Sequence, residues 1–158
     1  MGWMIDYPSP AHNFAKGCSF KTTAIGWLRL AKAMKEIIEV GESKKYGPYS
    51  PGIKSCGIVW LSGQIAPEAG ADIKQQTNAS LDKIDSLLAA AGIGRNDVCF
   101  AQVLLADIED FSAMNEAYGE WLKDVAIKPA RAAFQAAALP GNALVEIVIQ
   151  AVEPNCCE

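Results

Sequence analysis

Apolar and polar positions follow two periods along this chain, and the period switches at turn-forming residues. Glu36-Ile37-Ile38-Glu39-Val40 predicts a short strand. Gly47-Pro48-Tyr49-Ser50-Pro51-Gly52 predicts a loop, because Gly and Pro punctuate local structure so strongly. Ile53 to Ile65 predicts two strands joined at Ser55-Cys56-Gly57. The second of these, Ile58-Val59-Trp60-Leu61-Ser62, is rich in β-branched and aromatic residues and ends at Gly63. The pattern then turns helical: Ile73, Thr77, Leu81, Ile84 and Leu88 recur on one face. Asp72 is the candidate N-cap, with Gln75 three residues on as its capping-box partner, and Gly92 sits at the C′ position. Val98 to Ala106 is apolar nearly throughout, which predicts an interior strand. Asp107 or Asp110 caps a second helix whose stripe is Phe111, Met114, Tyr118, Trp121, Leu122 and Val125, a core-packing face. Arg131–Ala138 and Ala143–Val152 are the last two strands, hinged at Leu139-Pro140-Gly141-Asn142. Two helices on one face of a sheet leave the other face open, and that face must pack on another subunit.

The bulk numbers change this picture only at its edges. A chain of 158 residues that is 51% hydrophobic fits one domain with an adequate core. A net charge of −4 implies no basic face and argues against generic nucleic-acid binding. No apolar run approaches the ~20 residues needed to span a bilayer. Residues 1–33 stand apart. They hold Lys16, Lys21, Arg29 and Lys32 against a single acid, Asp6, and Ile25, Trp27, Leu28, Leu30 and Ala31 surround a basic face. Three readings stay open: a mitochondrial-type targeting peptide, an appended helix or arm, or an extension from an upstream start or a vector. The domain is accordingly placed at residues 34–158. The expected compartment is the cytoplasm, or a mitochondrion-related organelle if residues 1–33 are a targeting peptide.

Candidate chemistry is narrowed by what is scarce. The five cysteines form no CxxC pair, and the single histidine, His12, sits in a Pro/Ser/Asn-rich segment. A structural zinc site and a Ser-His-Asp triad both need more than this. An odd cysteine count with no secretory signal predicts reduced thiols in an intracellular compartment. There is no G-x-G-x-x-G or P-loop, so no nucleotide cofactor is implied. Catalysis is left to Arg, Glu, Tyr, Ser, backbone groups and water. Arg131 is the one charge in the run Pro129-Ala130-Arg131-Ala132-Ala133-Phe134-Gln135-Ala136-Ala137-Ala138, and the next charge along the chain is Glu146 in Val145-Glu146-Ile147. A buried charge is costly unless it is paired or faces a ligand. These two residues therefore form either an internal ion pair or a small polar pocket. A guanidinium reads a carboxylate bidentately and a carboxylate can activate a water, so the pocket would suit hydrolysis of a small carboxylic acid.

The motifs Gly47-Pro48-Tyr49-Ser50, Leu61-Ser62-Gly63-Gln64-Ile65, Asp110-Phe111 with Asn115 and Tyr118, Pro129-Ala130-Arg131, and Ala138-Leu139-Pro140 through Val145-Glu146-Ile147 occur in one order. Together they resemble the Rid (YjgF-type) family of reactive-intermediate deaminases, from about Lys35 to Glu153. The resemblance implies a chorismate-mutase-like α+β fold: a mixed β-sheet with two helices packed on one face, assembled as a homotrimer with clefts between subunits. It implies hydrolysis of enamine and imine intermediates, such as 2-aminoacrylate, to 2-oxo acids and ammonia, with no metal or organic cofactor. The expected partners are a small 2-imino or 2-oxo acid and further copies of the chain, with no membrane.

On this resemblance Arg131 clamps the substrate carboxylate, Glu146 positions the attacking water and handles its proton, and Tyr49 closes the cleft. Ser62 and Gly63 line the pocket at a strand end, and Asn115 stands near it. Many family members carry cysteine two residues after the arginine, where this chain has Ala133. Backbone groups there can still bind water or substrate, but a sulfur-based role cannot operate. A non-catalytic binder of small carboxylates is therefore the alternative reading. RNA cleavage or translation inhibition, also attached to the family, is opposed by the negative charge and the lack of a histidine in the domain.

Overall fold

A computed structural model describes residues 35–41 and 47–154. The N-terminal extension expected at residues 1–33 lies outside the described residues, as do His12 and the Cys156-Cys157 pair. The strands are β1 (Glu36–Ile38), β2 (Gly52–Ser55), β3 (Ile58–Gln64), β4 (Val98–Leu105), β5 (Ala130–Gln135) and β6 (Val145–Val152). The helices are α1 (Ile73–Ala90) and α2 (Phe111–Trp121). They build a six-stranded mixed sheet in the order β1-β2-β3-β6-β4-β5. All neighbours are antiparallel except β4 and β5, which run parallel with α2 as their crossover. This is the α+β architecture expected from the sequence, with β4 flanked on both sides as its apolar composition predicted.

Cross-strand partners share a face of the sheet. Val59, Leu61, Ala101, Val103, Val145, Ile147 and Ile149 are at most 2% exposed and lie on one face, where α1 and α2 cover them in a single core. The other face carries Trp60, Phe100, Leu104 and Val148, partly covered, and Ile58, Phe134 and Val152, each 40% exposed or more. A smaller cluster of Ile65, Leu139 and Ala143 closes one end of the sheet.

Helix α1 begins and ends where its sequence predicts. Asp72 accepts a hydrogen bond from the Gln75 amide at 3.0 Å, a cap worth ~1 kcal/mol. At the other end Gly92 adopts φ 78° and donates to the Ala89 carbonyl, while Ile93 donates to Leu88. That pair of bonds is a Schellman stop, and only a residue at ease with positive φ forms it cheaply. Asp107 caps a short 3₁₀ turn, Ile108–Asp110, that leads into α2, whereas Asp110 makes no side-chain cap.

Several strand boundaries differ from the sequence reading, among them the start of β6, which is Val145 and not Ala143. β1 stops at Ile38, two residues before Val40. β3 runs through Gly63 to Gln64 instead of ending at Gly63. β5 spans Ala130–Gln135, not Arg131–Ala138, because the alanines that follow do not set a strand end and only Ala136 still donates to β4, at Leu105. Phe111 also departs from its helix stripe: Met114, Tyr118, Trp121, Leu122 and Val125 are buried, while Phe111 is 36% exposed.

Candidate functional site

Two separate groups of residues carry the expected chemistry. The first gathers where β3 meets β6. Their register slips between Leu61 and Gln64: Leu61 pairs with Ile149 and Gln64 with Ile147. One extra residue is thus fitted into β3, a bulge that re-aims the side chains around it. Ser62 leaves the ladder to donate its hydroxyl to the Ser50 carbonyl at 2.7 Å, and its amide donates to Pro51 at 2.9 Å. Those bonds tie the strand end to the Gly47–Gly52 loop that carries Tyr49. Gly63 passes so close to Glu146 that an added Cβ would overlap the carboxylate. Tyr49, Ser62, Gly63, Ile65, Pro140 and Glu146 line a cavity of ≈ 220 Å³. Glu146 is half-buried, and burial raises its pKa above the ordinary glutamate range.

A residue the sequence did not flag sets the approach to Glu146. Gln76, on α1 and 3% exposed, donates to the Gly70 carbonyl at 2.6 Å and accepts from the Leu144 amide at 2.9 Å. It therefore fixes the backbone two residues before Glu146. A glutamine at a core position of an amphipathic helix was the available signal.

The second group lies at the far edge of the sheet. Arg131 stands on β5, and its Nη1 donates to Asn115 Oδ1 at 2.7 Å. Its guanidinium carbon lies 4.9 Å from the Tyr118 ring centroid and 5.7 Å from that of Phe111. Asn115, Phe111 and Tyr118 fall at helical spacing on α2, so one helix face holds the guanidinium by a hydrogen bond and two aromatic contacts. Neither ring was assigned this role by the sequence, which read both as core. Ala133, two residues on, packs against the main core.

The two groups do not meet within the chain. Arg131 pairs with Ala101 and lies on the helix-covered face, whereas Glu146 pairs with Leu104 and lies on the open face. β4 also stands between their strands. The internal ion pair left open by the sequence is not formed, because Arg131 is exposed on the edge strand and bonded to Asn115. Among the described residues neither Arg131 nor Glu146 has an oppositely charged partner. Among the same residues, no group of three or more His, Cys, Asp or Glu is placed to hold a metal, and no helix is long and apolar enough to cross a membrane.

Comparison with known proteins places this arrangement. The family described as Endoribonuclease L-PSP matches residues 41–153. A RutC family protein of Pyrococcus horikoshii is 41% identical over 121 residues, covering 72% of this chain and 94% of the relative. Reactive Intermediate Deaminase A, chloroplastic, of Arabidopsis thaliana is 36% identical over 120 residues, covering 72% of this chain and 63% of the relative. The crystal structure of Escherichia coli TdcF with bound serine superposes with a TM-score of 0.69 at 32% identity, covering 75% of this chain and 98% of that one.

Proposed function

This chain belongs to the Rid (YjgF/RutC) family, and from that premise we propose that it hydrolyses reactive 2-imino acids to 2-oxo acids and ammonia. Its substrates are 2-aminoacrylate-like enamines and their imine tautomers, as in 2-iminobutanoate/2-iminopropanoate deaminases. No metal or organic cofactor takes part. Residues 34–158 carry the activity, residues 1–33 form a separate extension, and the proposed compartment is the cytoplasm. The observation that carries this reading is that Arg131, bonded to Asn115, and half-buried Glu146 each lack an opposite charge among the described residues. The name of the Arabidopsis relative and the serine in the E. coli structure, an amino acid with a free carboxylate, agree with it.

Because the two groups face opposite sides of one sheet, the working site forms between copies of the chain. The open face with Ile58, Phe134 and Val152 exposed supplies the apolar surface for that packing, as a homotrimer. Arg131 of one copy then meets the Glu146 cavity of the next. Its free N–H groups take the carboxylate of the 2-imino acid in a fork. Glu146 takes a proton from water as the water oxygen bonds to the imine carbon, and passes it to the nitrogen as the C=N π electrons move there, which leaves the carboxylate free again. The resulting carbinolamine's hydroxyl proton passes through Glu146 to the nitrogen as the C–N bond breaks and the C=O bond forms, releasing ammonia and the 2-oxo acid. A carboxyl with a raised pKa suits this two-way proton traffic better than an ordinary one. Tyr49 covers the cavity, and Ser62, Gly63, Asn115 and the Ala133 backbone shape its walls.

The test generates imino acids in situ with an amino-acid oxidase or a pyridoxal-phosphate dehydratase and traps the free intermediate with semicarbazide. Wild type lowers the trapped fraction and Arg131→Ala does not. Wild-type turnover by Arg131→Ala would show this mechanism to be wrong. The Ala133 departure favours a second reading, a small-carboxylate binding protein. Saturable binding with no acceleration would support it, and Ala133→Cys would then be the first substitution to make.

A further inference from the structure

The ladder between β3 and β6 does not hold the two residues on which the site depends. Its rungs on β3 are Ile58, Val59, Trp60 and Leu61, and then, past the bulge, Gln64 with Ile147. Gly63 falls inside the bulge, and Glu146 falls beyond the last rung. Glu146 is held from the other side, by β4 at Leu104. Yet its carboxyl lies so near Gly63 that a Cβ there would overlap it. Groups that act together are kept within about 0.5 Å by the bonds that support them, so both walls of this contact need a hold.

Helix α1 supplies those holds. Gln76 and Lys83 lie seven residues apart on it, close to two turns at about 3.6 residues per turn, so they share a face. Gln76 accepts from the Leu144 amide at 2.9 Å, two residues before Glu146. Lys83 donates to the Ile65 carbonyl at 2.6 Å, two residues after Gly63. The Leu144 carbonyl accepts from the Ala106 amide at 2.9 Å, so both backbone groups of Leu144 are fixed. The remaining bonds pin the connection from β3 to α1: Gln76 donates to the Gly70 carbonyl at 2.6 Å, and Lys83 donates to Glu68. An apolar residue in place of Gln76, which is 3% exposed, would leave a backbone amide and a carbonyl without their partner. Ser80 lies on the same face between the two and is buried, but its hydroxyl has no hydrogen-bond partner among the described residues.

We propose that Gln76 and Lys83 are positioning residues, and that through them α1 takes over where the β3–β6 ladder stops and sets the gap between the Gly63 backbone and the Glu146 carboxyl. The inference rests on the deaminase reading above and adds to it the residues that hold the acid. Both side chains act through the backbone, at Leu144 and Ile65, and not on the reacting atoms. Loosening a wall therefore has two effects. The carboxyl leaves the geometry it needs towards water, and it gains solvent, which relieves the burial that raises its pKa. The other titratable groups on this side are Tyr49, lining the same cavity, and Lys83 and Glu68, lining the adjoining one. A substitution at Gln76 leaves all three charges as they are, so a shift in the Glu146 titration reports its placement.

The experiment uses the full chain, oxidase-generated 2-iminopropanoate with semicarbazide trapping, and a carbon-13 NMR titration of the Glu146 carboxyl, identified by its loss in Glu146→Gln. Gln76→Met removes both bonds and changes no charge. It should lower kcat on the order of 10–10²-fold with KM within about twofold, as a misplacement near 1 Å does. It should also move the Glu146 titration, and the acid limb of kcat/KM, down towards the ordinary glutamate range. Gln76→Glu keeps an oxygen towards the Leu144 amide in either protonation state and should restore most of kcat. Lys83→Met should lower kcat about threefold, the worth of one half-exposed hydrogen bond. Ser80→Ala, on the same face, should change neither rate nor titration. A Gln76→Met that melts lower but keeps its kcat and its titration, or a Gln76→Glu as slow as Gln76→Met, overturns the role and leaves the deaminase standing. If Gln76→Met does not fold, Lys83→Met decides, and an unchanged kcat there overturns the proposal. If wild type accelerates no imine, the deaminase reading fails and the carboxyl titration decides alone: a downward shift in Gln76→Met supports the positioning role, and a fixed value overturns it.

Discussion

Two arginines of this molecule sit in nearly the same surroundings and are used differently. Arg95 and Arg131 are both on the surface, and each places its guanidinium over an aromatic ring of α2, at 5.4 Å from Trp121 and 4.9 Å from Tyr118. Arg95 is spent. Its Nε and Nη2 grip the two oxygens of Asp85 at 2.9 and 2.7 Å, its Nη1 donates to the Trp121 carbonyl at 2.9 Å, and Trp121 Nε1 donates to the same carboxylate. That clasp ties α1 to the end of α2, and the Asp85 bonds raise the Arg95 pKa further. Arg131 receives one neutral amide oxygen, from Asn115. The same side chain is a fastener where a carboxylate is built in and keeps N–H groups open where one is left out. The difference lies in the partner and not in burial or in the ring beneath.

The largest test of this contrast is on the other unpaired charge. Glu146→Gln should lower kcat/KM by about 10²–10⁴, the usual worth of a positioned acid–base group, in the semicarbazide assay. The same substitution should not harm the fold at neutral pH. Burial raises the folded-state pKa of Glu146, so its contribution to stability is fully present below the ordinary glutamate pKa and is lost as pH rises through the raised one. Above that window the ionised group opposes folding. Thermal melts at pH 7 should therefore show Glu146→Gln with an equal or higher Tm than wild type, and the difference should vanish in acid. The acid limb of kcat/KM should sit above the ordinary glutamate range in wild type and be absent from the variant.

Gly63→Ala should come next, at about 10²-fold in kcat, because an added Cβ must push the Glu146 carboxylate aside and a misplacement near 1 Å costs about that much. Circular dichroism should find the fold intact. The arginines themselves give the third test. Arg131→Lys should raise KM about tenfold by losing the fork, with Tm unchanged. Arg95→Lys should leave kcat/KM alone and cost about 1 kcal/mol, discounted for exposure of the pair. That is about 2–4 °C in Tm for a chain of this size. If Arg131→Lys lowered Tm and Arg95→Lys raised KM, the contrast would be reversed. The smallest effect belongs to Asn115→Ala, which frees Arg131 without removing it. A rise in KM of about threefold with kcat unchanged is expected, in line with loss of one hydrogen bond of roughly 0.5–1.5 kcal/mol.

Local order was legible in the chain and long-range order was not. The limits of α1 could be read because Asp72 and Gly92 act on backbone groups within four residues of themselves. The identities of Arg131, Glu146 and Tyr49 as candidates followed from isolated charges and from the resemblance to the family. Their mutual orientation did not follow. Facing depends on the phase of β5 against β6, and the two strands are separated by β4, so nothing in the sequence between Arg131 and Glu146 states whether they share a side. The bulge at Ser62-Gly63 was hidden for a related reason: it is a mismatch with Ile147–Ile149 on another strand, and only a glycine hints at it. Phe111 fitted the spacing of a buried stripe but lies at the first position of α2, where the helix begins at the surface.

The opposite facing of Arg131 and Glu146 has a genetic corollary under the trimeric reading. A chain lacking the arginine still offers an intact acid pocket to its neighbour, and a chain lacking the acid still offers an intact arginine. Two alleles that are each silent alone, Arg131→Ala and Glu146→Gln, should therefore complement when expressed together. Going round any mixed ring, one junction always joins the sound half of one product to the sound half of the other.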